Sequence, residues 1–314
     1  MTNARLAFVF PGQGSQQIGM LADAAAEFPE IHTTFSEASD VLGYDLWDLC
    51  QNGEQADINL TERTQPLLLT ASVALYRAWC ARGGVHPARM AGHSLGEWSA
   101  LVCAGTLAFT DAVHLVQERG RLMQKAVPAG EGAMAAVIGL NDAAVESACA
   151  EAAEGEVVAA VNYNSPGQVV IAGSSAAVSR AIEACKAAGA KRAMPLPVSA
   201  PFHTELMRPA AEKLAAQIES TEFHAPEIPV IHNVHARPES DPAAIKALMV
   251  EQIYSPVRWT ECVQAMVTEG TGQLVECGPG KVLAGLAKRI DRSLTCHNID
   301  TPDQLNTALL ATAE

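Results

Sequence analysis

Positive charge is scarce in this chain. Lys and Arg number 21 against 35 Asp and Glu, a net charge of −14. That argues against a nucleic acid as a bulk partner, because phosphate binding wants a basic footprint. Aromatic residues are also few, at 5%, which speaks against a sandwich or barrel of aromatic-rich strands and for alanine-rich helices packed on a sheet. The eight cysteines form no C-x-x-C pair, so neither a disulfide framework nor a zinc site is expected. Several lie in apolar, helix-like contexts such as "SALVCAG", where Cys acts as a small buried hydrophobe. No run approaches the roughly 18 to 20 apolar residues of a membrane span. The N-terminal "RLAFVF" is cut by Pro11 and Gly12, too soon for the core of a signal peptide. The expectation is a soluble, reduced, cytoplasmic protein.

What the chain does have is apolar bulk. Hydrophobic residues make up 49% of its 314 positions, enough for one large domain with an insertion or for two domains. "RLAFVF" followed by "PGQGSQ" predicts a buried parallel strand entering a loop. Helical spacing covers roughly 17–28, 31–42, 64–82 and 110–127. "ARMAGHS" predicts a short strand, and "LGEWSALVCAG" a helix stopped by Gly105. From 128 the pattern changes to strand, helix, strand, strand, helix, strand, ending in "KRAMPLPVS". That order is the ferredoxin-like unit. Afterwards helices near 205–220, 242–253 and 259–269, strands in "IPVIHNV" and "QLVECG", and a helix in "KVLAGLAKRI" resume the earlier character. The expected fold class is therefore α/β: a discontinuous large domain over 1–127 and 200–314, with a parallel sheet flanked by helices, and a small inserted domain over 128–199.

Gly92, His93, Ser94, Leu95 and Gly96 make the G-x-S-x-G of a nucleophile elbow. Between a strand and a helix, such a turn exposes the serine oxygen at a helix N-terminus, where backbone N–H groups and the dipole stabilise developing negative charge. The Leu95 N–H is placed to be one oxyanion donor. The same spacing also serves a turn that only packs helix on strand. A serine needs a base. Among nine histidines, His203 in "PVSAPFHTEL" falls where the insert returns to the large domain, and ligand clefts form at domain junctions. His232 and His235, in "IHNVHA", have no acidic or cysteine ligand at a regular spacing and read as strand-end histidines. Asp111 and Asp142, the aspartates between Ser94 and His203, both read as helix-start residues, and no glutamate offers itself. A Ser–His dyad, its imidazole oriented by something neutral, is the expectation.

"FPGQGSQQIGM" fails as a nucleotide loop, because Gln17 holds the third glycine position of the dinucleotide pattern and Met20 the lysine position of a P-loop. It lies instead at the carboxyl edge of the predicted sheet, where α/β active sites form. Gln13 there is either an oxyanion donor or a plain turn residue. Arg119 interrupts the apolar stripe Val113, Leu115, Val116, Leu122, Met123. An arginine cannot shed its proton, so on an inward face it must meet an anion. Three readings stay open: a structural ion pair, a side chain snorkelling to solvent, or a fork for a substrate carboxylate.

Taken jointly, "FVFPGQGSQ", "AGHSLGEWSAL", "RGRLMQ", "NYNSPGQVVIAG", "PVSAPFH" and "VECGPGKVL" closely resemble the malonyl-CoA:acyl carrier protein transacylase family, over almost the whole chain. The resemblance implies a hydrolase-like large domain carrying the ferredoxin-like insert. It implies Ser94 as nucleophile, His203 as base, Gln13 and the backbone of Leu95 as oxyanion hole, and Arg119 as the residue for the malonyl carboxylate. Gln252 matches the position whose backbone carbonyl orients the histidine, which would account for the missing acid. Phe202 and Met123 match positions tied to acyl choice. The implied reaction is ping-pong transfer from malonyl-CoA to the phosphopantetheine thiol of acyl carrier protein, in fatty-acid biosynthesis. The implied partners are a coenzyme A thioester and acyl carrier protein, with no metal or bound cofactor and with a monomeric enzyme. A standalone polyketide-type acyltransferase and a serine thioesterase or hydrolase are the alternatives. An acidic carrier would need a local basic surface, either Lys186, Lys191 and Arg192 or Lys281, Lys288 and Arg289.

Overall fold

The computed structural model describes residues 1–198 and 200–313. Strand β1 (Thr2–Phe10) sends Leu6, Phe8 and Phe10 into one apolar cluster and Ala7 and Val9 into another. Both faces are therefore covered, which is why its sequence is an unbroken apolar run rather than an alternating one. Strand β2 (His86–Gly92) pairs parallel to it, with Phe10 opposite Gly92. Four strands follow in the insert: β3 (Gly132–Ile138), β4 (Val158–Ser165), β5 (Gln168–Ser174) and β6 (Arg192–Pro195). They make a separate sheet in the order β4-β5-β3-β6 with every neighbour antiparallel. The helices Asp142–Ala153 and Ser175–Ala187 share its apolar cluster.

The chain then returns to the first sheet through β7 (Val230–Ile231), β8 (Gln273–Glu276) and β9 (Thr295–Asn298). Its order is β7-β2-β1-β8-β9, with all neighbours parallel. Parallel neighbours require crossover connections, and they bring every strand's carboxyl end to one edge. On one face the 21-residue helix Thr61–Ala81 meets Phe8 through Tyr76 and Trp79, edge-on at 5.7 and 5.2 Å between centroids. The insert is tied back to the large domain where Val257, in the segment ahead of the helix Trp259–Thr268, exchanges backbone hydrogen bonds with Val161 and Tyr163 of β4 at 2.7 and 3.0 Å.

Several boundaries differ from expectation. The helix expected over 17–28 begins only at Ala22, because Gly19 and Leu21 hold φ of 85° and 64°. A left-handed residue cannot continue a right-handed helix. The strand expected in "IPVIHNV" is two residues long, since His232 and Asn233 turn away to other partners. Two short helices, Leu46–Asn52 and Gln55–Ile58, the edge strand β9 and the final helix Pro302–Ala311 add to the expected elements. The insert's last strand ends at Pro195, and Ser199, at the expected boundary, lies outside the described residues. Among the described residues no helix is long and apolar enough to cross a membrane.

Candidate active site

Ser94 sits between β2 and the helix Leu95–Cys103, with φ 52° and ψ −111°. For a non-glycine residue such a backbone costs on the order of 1–3 kcal/mol. Close approach enforces it. A Cβ on Gly92 would strike the Gly96 carbonyl, and one on Gly96 would strike the carbonyl of Phe10. Strand and helix thus meet more closely than any other residue permits. Asn233 closes the turn from beneath: its Oδ1 accepts from the Ser94 N–H at 2.9 Å and its Nδ2 donates to the Gly92 carbonyl at 2.7 Å.

His203 also has a positive φ, 64°. Its Nε2 is 2.8 Å from Ser94 Oγ, and its Nδ1 is 2.9 Å from the backbone oxygen of Gln252. A carbonyl can only accept, so Nδ1 carries the proton and Nε2 is left to accept from the serine hydroxyl. Burial, with the Arg119 charge beside it, pushes the imidazole down to about 3. At neutral pH the ring is therefore uncharged and able to take a proton.

Arg119 lies in the helix Phe109–Lys125 and is 1% exposed. Its Nη1 donates to Gln65 Oε1 at 2.8 Å, and its Nη2 donates to Gln252 Oε1 at 2.9 Å and to Ser94 Oγ at 3.3 Å. Its Nε has no partner among the described residues. Burial pushes the guanidinium down to about 10, against the opposing pull of Glu97, so it stays charged at neutral pH. Among the described residues no carboxylate pairs with it, and burial rules out snorkelling. What holds the fork is two neutral amide oxygens, beside the Ser94 hydroxyl, an arrangement that an incoming anion would complete.

The Gln252 side chain spans this site. Its Nε2 donates to the Ser94 carbonyl at 2.9 Å and to Glu97 Oε2 at 2.8 Å. Glu97 and His232, both fully buried, meet at 2.5 Å through Oε1 and Nδ1. Neither is among the residues expected at the site. A carboxylate three residues after the serine reads as an ordinary first-turn acid, favoured there by the helix dipole. The signal that could have found it is the one that found Arg119: Glu97 shares a helix face with Ala100 and Leu101, all of them buried.

Leu95, Phe202 and Met123 adjoin this group, whereas Gln13 lines a cleft that none of the group's side chains enters. Leu95, 1% exposed, opens the helix, where a first-turn N–H has no intrahelical partner. Gln13 lines a cleft of about 230 Å³ between the two sheets, together with His93, Asn162, Asn164, Leu196 and Leu283. His93 Nε2 and Asn164 Oδ1, 2.7 Å apart, tie its walls together. Phe202 is buried beside His203. Met123 is buried too, its sulfur 4.0 Å from Nε2 of Gln65, the residue that holds Arg119. A larger cavity of about 380 Å³ runs from Gly14–Asp23 to Pro279–Thr301 and holds none of these side chains. His232 and His235 have ring centroids 6.0 Å apart. Among the described residues no group of three or more His, Cys, Asp or Glu side chains could hold a metal.

A family model described as an acyl transferase domain matches residues 7–299. The malonyl CoA-acyl carrier protein transacylase of Escherichia coli strain K12 is 59% identical over 305 residues, 97% of this chain and 99% of that protein. A crystal structure of an acyl carrier protein S-malonyltransferase from Vibrio cholerae superposes with a TM-score of 0.96 at 57% identity, covering 97% of this chain and 99% of that one. A malonyl-transacylase in complex with a type II polyketide acyl-carrier protein superposes with a TM-score of 0.97 at 55% identity, covering 98% of this chain and 99% of that one.

Proposed function

The chain belongs to the malonyl CoA-acyl carrier protein transacylase family, and from that premise we propose that it moves a malonyl group from coenzyme A to the carrier's thiol by way of Ser94. The observation that carries this reading is the meeting of three groups on one oxygen: Ser94 Oγ lies 2.8 Å from His203 Nε2 and 3.3 Å from Arg119 Nη2.

In the first half-reaction Ser94 Oγ attacks the thioester carbonyl while Nε2 of His203 takes the hydroxyl proton. The oxyanion rests on the Leu95 N–H and the Gln13 amide. The carbonyl re-forms, the carbon–sulfur bond breaks, and coenzyme A leaves with the proton from His203. In the second half the carrier's thiol gives its proton to His203, attacks the malonyl-serine carbonyl and takes the acyl group. A thiol, with a pKa of about 8.5, is far easier to activate than water at about 15.7, and carrier binding makes its attack effectively intramolecular. This route uses only the enzyme's own side chains and backbone.

Arg119 selects the acyl group by pairing with the malonyl carboxylate, with Phe202 and Met123 shaping the space around it. The pairing also acts on the base. Arg119 is one cause of His203's lowered pKa, so a carboxylate that neutralises its charge makes the imidazole a stronger base once the acidic acyl group is seated. For carrier docking we assign Lys281, Lys288 and Arg289, exposed on the segment whose Val282, Leu283 and Leu286 wall the cleft. Lys186, on the other basic surface, is held by Glu183 at 3.0 Å. We read the insert as ferredoxin-like, a reading supported by its first and third strands, β3 and β5, lying central in an antiparallel sheet. Eight unpaired cysteines favour a reducing, cytoplasmic setting.

The test is incubation with malonyl-CoA followed by intact-mass measurement, with and without holo acyl carrier protein. The expected result is a gain of one malonyl group on Ser94 that moves to the carrier. Free malonate accumulating without carrier acylation would make the protein a hydrolase instead.

A further inference from the structure

Glu97 has no part in the transfer steps above, yet it is fully buried and both its oxygens are occupied. Oε1 accepts from Nδ1 of His232 at 2.5 Å. Oε2 accepts from Gln252 Nε2 at 2.8 Å and from the Asn233 backbone N–H at 3.2 Å. Three separate segments therefore converge on one carboxylate: the helix that carries it, the chain leaving β7, and the turn at Gln252.

The consequence lies in the orientation of an amide. Oxygen and nitrogen of a glutamine side chain are nearly the same size, so only their partners decide which way it faces. The nitrogen of Gln252 faces acceptors, Glu97 Oε2 and the Ser94 carbonyl, while its oxygen faces Nη2 of Arg119, which can only donate. A flipped amide would set N–H against guanidinium and carbonyl against carboxylate. His232 contributes at the far end: its Nδ1–H occupies Oε1, which leaves Oε2 for Gln252.

We propose that Glu97, held by His232, is a positioning residue for acyl selection: it locks the Gln252 amide with its oxygen toward Arg119 and so aims the guanidinium at an acidic group on Ser94. The arrangement places a negative charge behind the amide rather than against the arginine, so the fork remains open to substrate. This inference rests on the reading of Arg119 as the carboxylate-binding residue.

The experiment measures kcat and KM for malonyl-CoA and acetyl-CoA, with holo acyl carrier protein as acceptor, alongside thermal melts. Glu97→Gln is expected to lower the malonyl-over-acetyl ratio of kcat/KM by about tenfold or more, the scale of one buried charge-assisted hydrogen bond. The loss falls mainly in KM for malonyl-CoA, while acetyl transfer persists. His232→Asn, which keeps a donor near the Nδ1 position, is expected to preserve the ratio, and His232→Leu to lower it. A folded Glu97→Gln enzyme with the wild-type ratio overturns the proposal. Should that variant not fold, a wild-type ratio in His232→Leu overturns it equally. Arg119→Ala separates the two layers. If it keeps the malonyl preference, the carboxylate assignment itself fails; if it loses the preference and Glu97→Gln does not, only the positioning role fails.

Discussion

Two buried imidazoles, His203 and His232, are both tied to Gln252, one at its backbone oxygen and one through Glu97 at its side-chain amide, and their Nδ1 atoms are held differently. His203 meets a neutral backbone carbonyl at 2.9 Å, whereas His232 meets the Glu97 carboxylate at 2.5 Å. The ring that touches Ser94 has the neutral partner, and the ring that touches neither Ser94 nor Arg119 has the acid. The pocket's chemistry gives a reason for that allocation. A carboxylate against His203 would put a second anion beside Arg119 and compete with the acidic acyl group for the guanidinium. Behind the Gln252 amide the same charge can orient without competing.

That contrast can be broken by substitution. His203→Ala should lower malonyl transfer by roughly 10²–10⁴-fold, the usual worth of a general acid–base group, whereas His232→Ala should spare most of the rate with acetyl-CoA. Equal losses in single-turnover acylation would erase the distinction between the two rings. Arg119→Ala comes next. Removing the partner of a buried charge costs about 2–5 kcal/mol, so malonyl kcat/KM should collapse while acetyl transfer is kept or raised. An unchanged malonyl kcat/KM would end the assignment.

Proton linkage sharpens the same comparison. The unfolded chain protonates His203 near the ordinary 6.5, while the folded one resists down to about 3. Between those limits the unfolded state binds the extra proton, so stability falls as pH drops, by about 1.4 kcal/mol per unit from this residue. Urea unfolding at pH 7 and pH 5 should differ by about 2 kcal/mol on this account, and His203→Phe should remove that difference. The smallest effect concerns the carrier. Lys281→Glu combined with Arg289→Glu should raise the carrier's KM several-fold, at roughly 0.2–1 kcal/mol per exposed charge, without changing acylation by malonyl-CoA. A carrier KM that stays put would move docking to another surface.

Much of the site is legible in the sequence because its chemistry is written in short local patterns. Gly92 and Gly96 announce the elbow since no other residue allows those crossings, and Arg119 stands out as a charge inside an apolar stripe. What local patterns hide depends on distant segments meeting. Glu97 looks like a dipole-favoured helix acid until Gln252, 155 positions away, is found against it. The strand at 230 is cut short for the same reason, because Asn233 is committed to the elbow and His232 to Glu97. Leu21 adopts a left-handed φ of 64° that its residue type gives no cause to expect, so helical spacing alone starts that helix too early. The short β9, half-buried and without alternation, offers no period to detect.

The histidine's anchor is a main-chain oxygen, and that places it beyond the reach of ordinary mutation. Every amino acid at position 252 supplies the same carbonyl, so replacing the side chain deletes Arg119's contact while leaving the anchor chemically intact. Alanine scanning would credit position 252 with what its amide does for Arg119, Ser94 and Glu97, and with nothing for the histidine. Only a change that bends the Gln252–Tyr254 turn could take that carbonyl away, which makes backbone shape, rather than residue identity, the thing that holds the His203 ring.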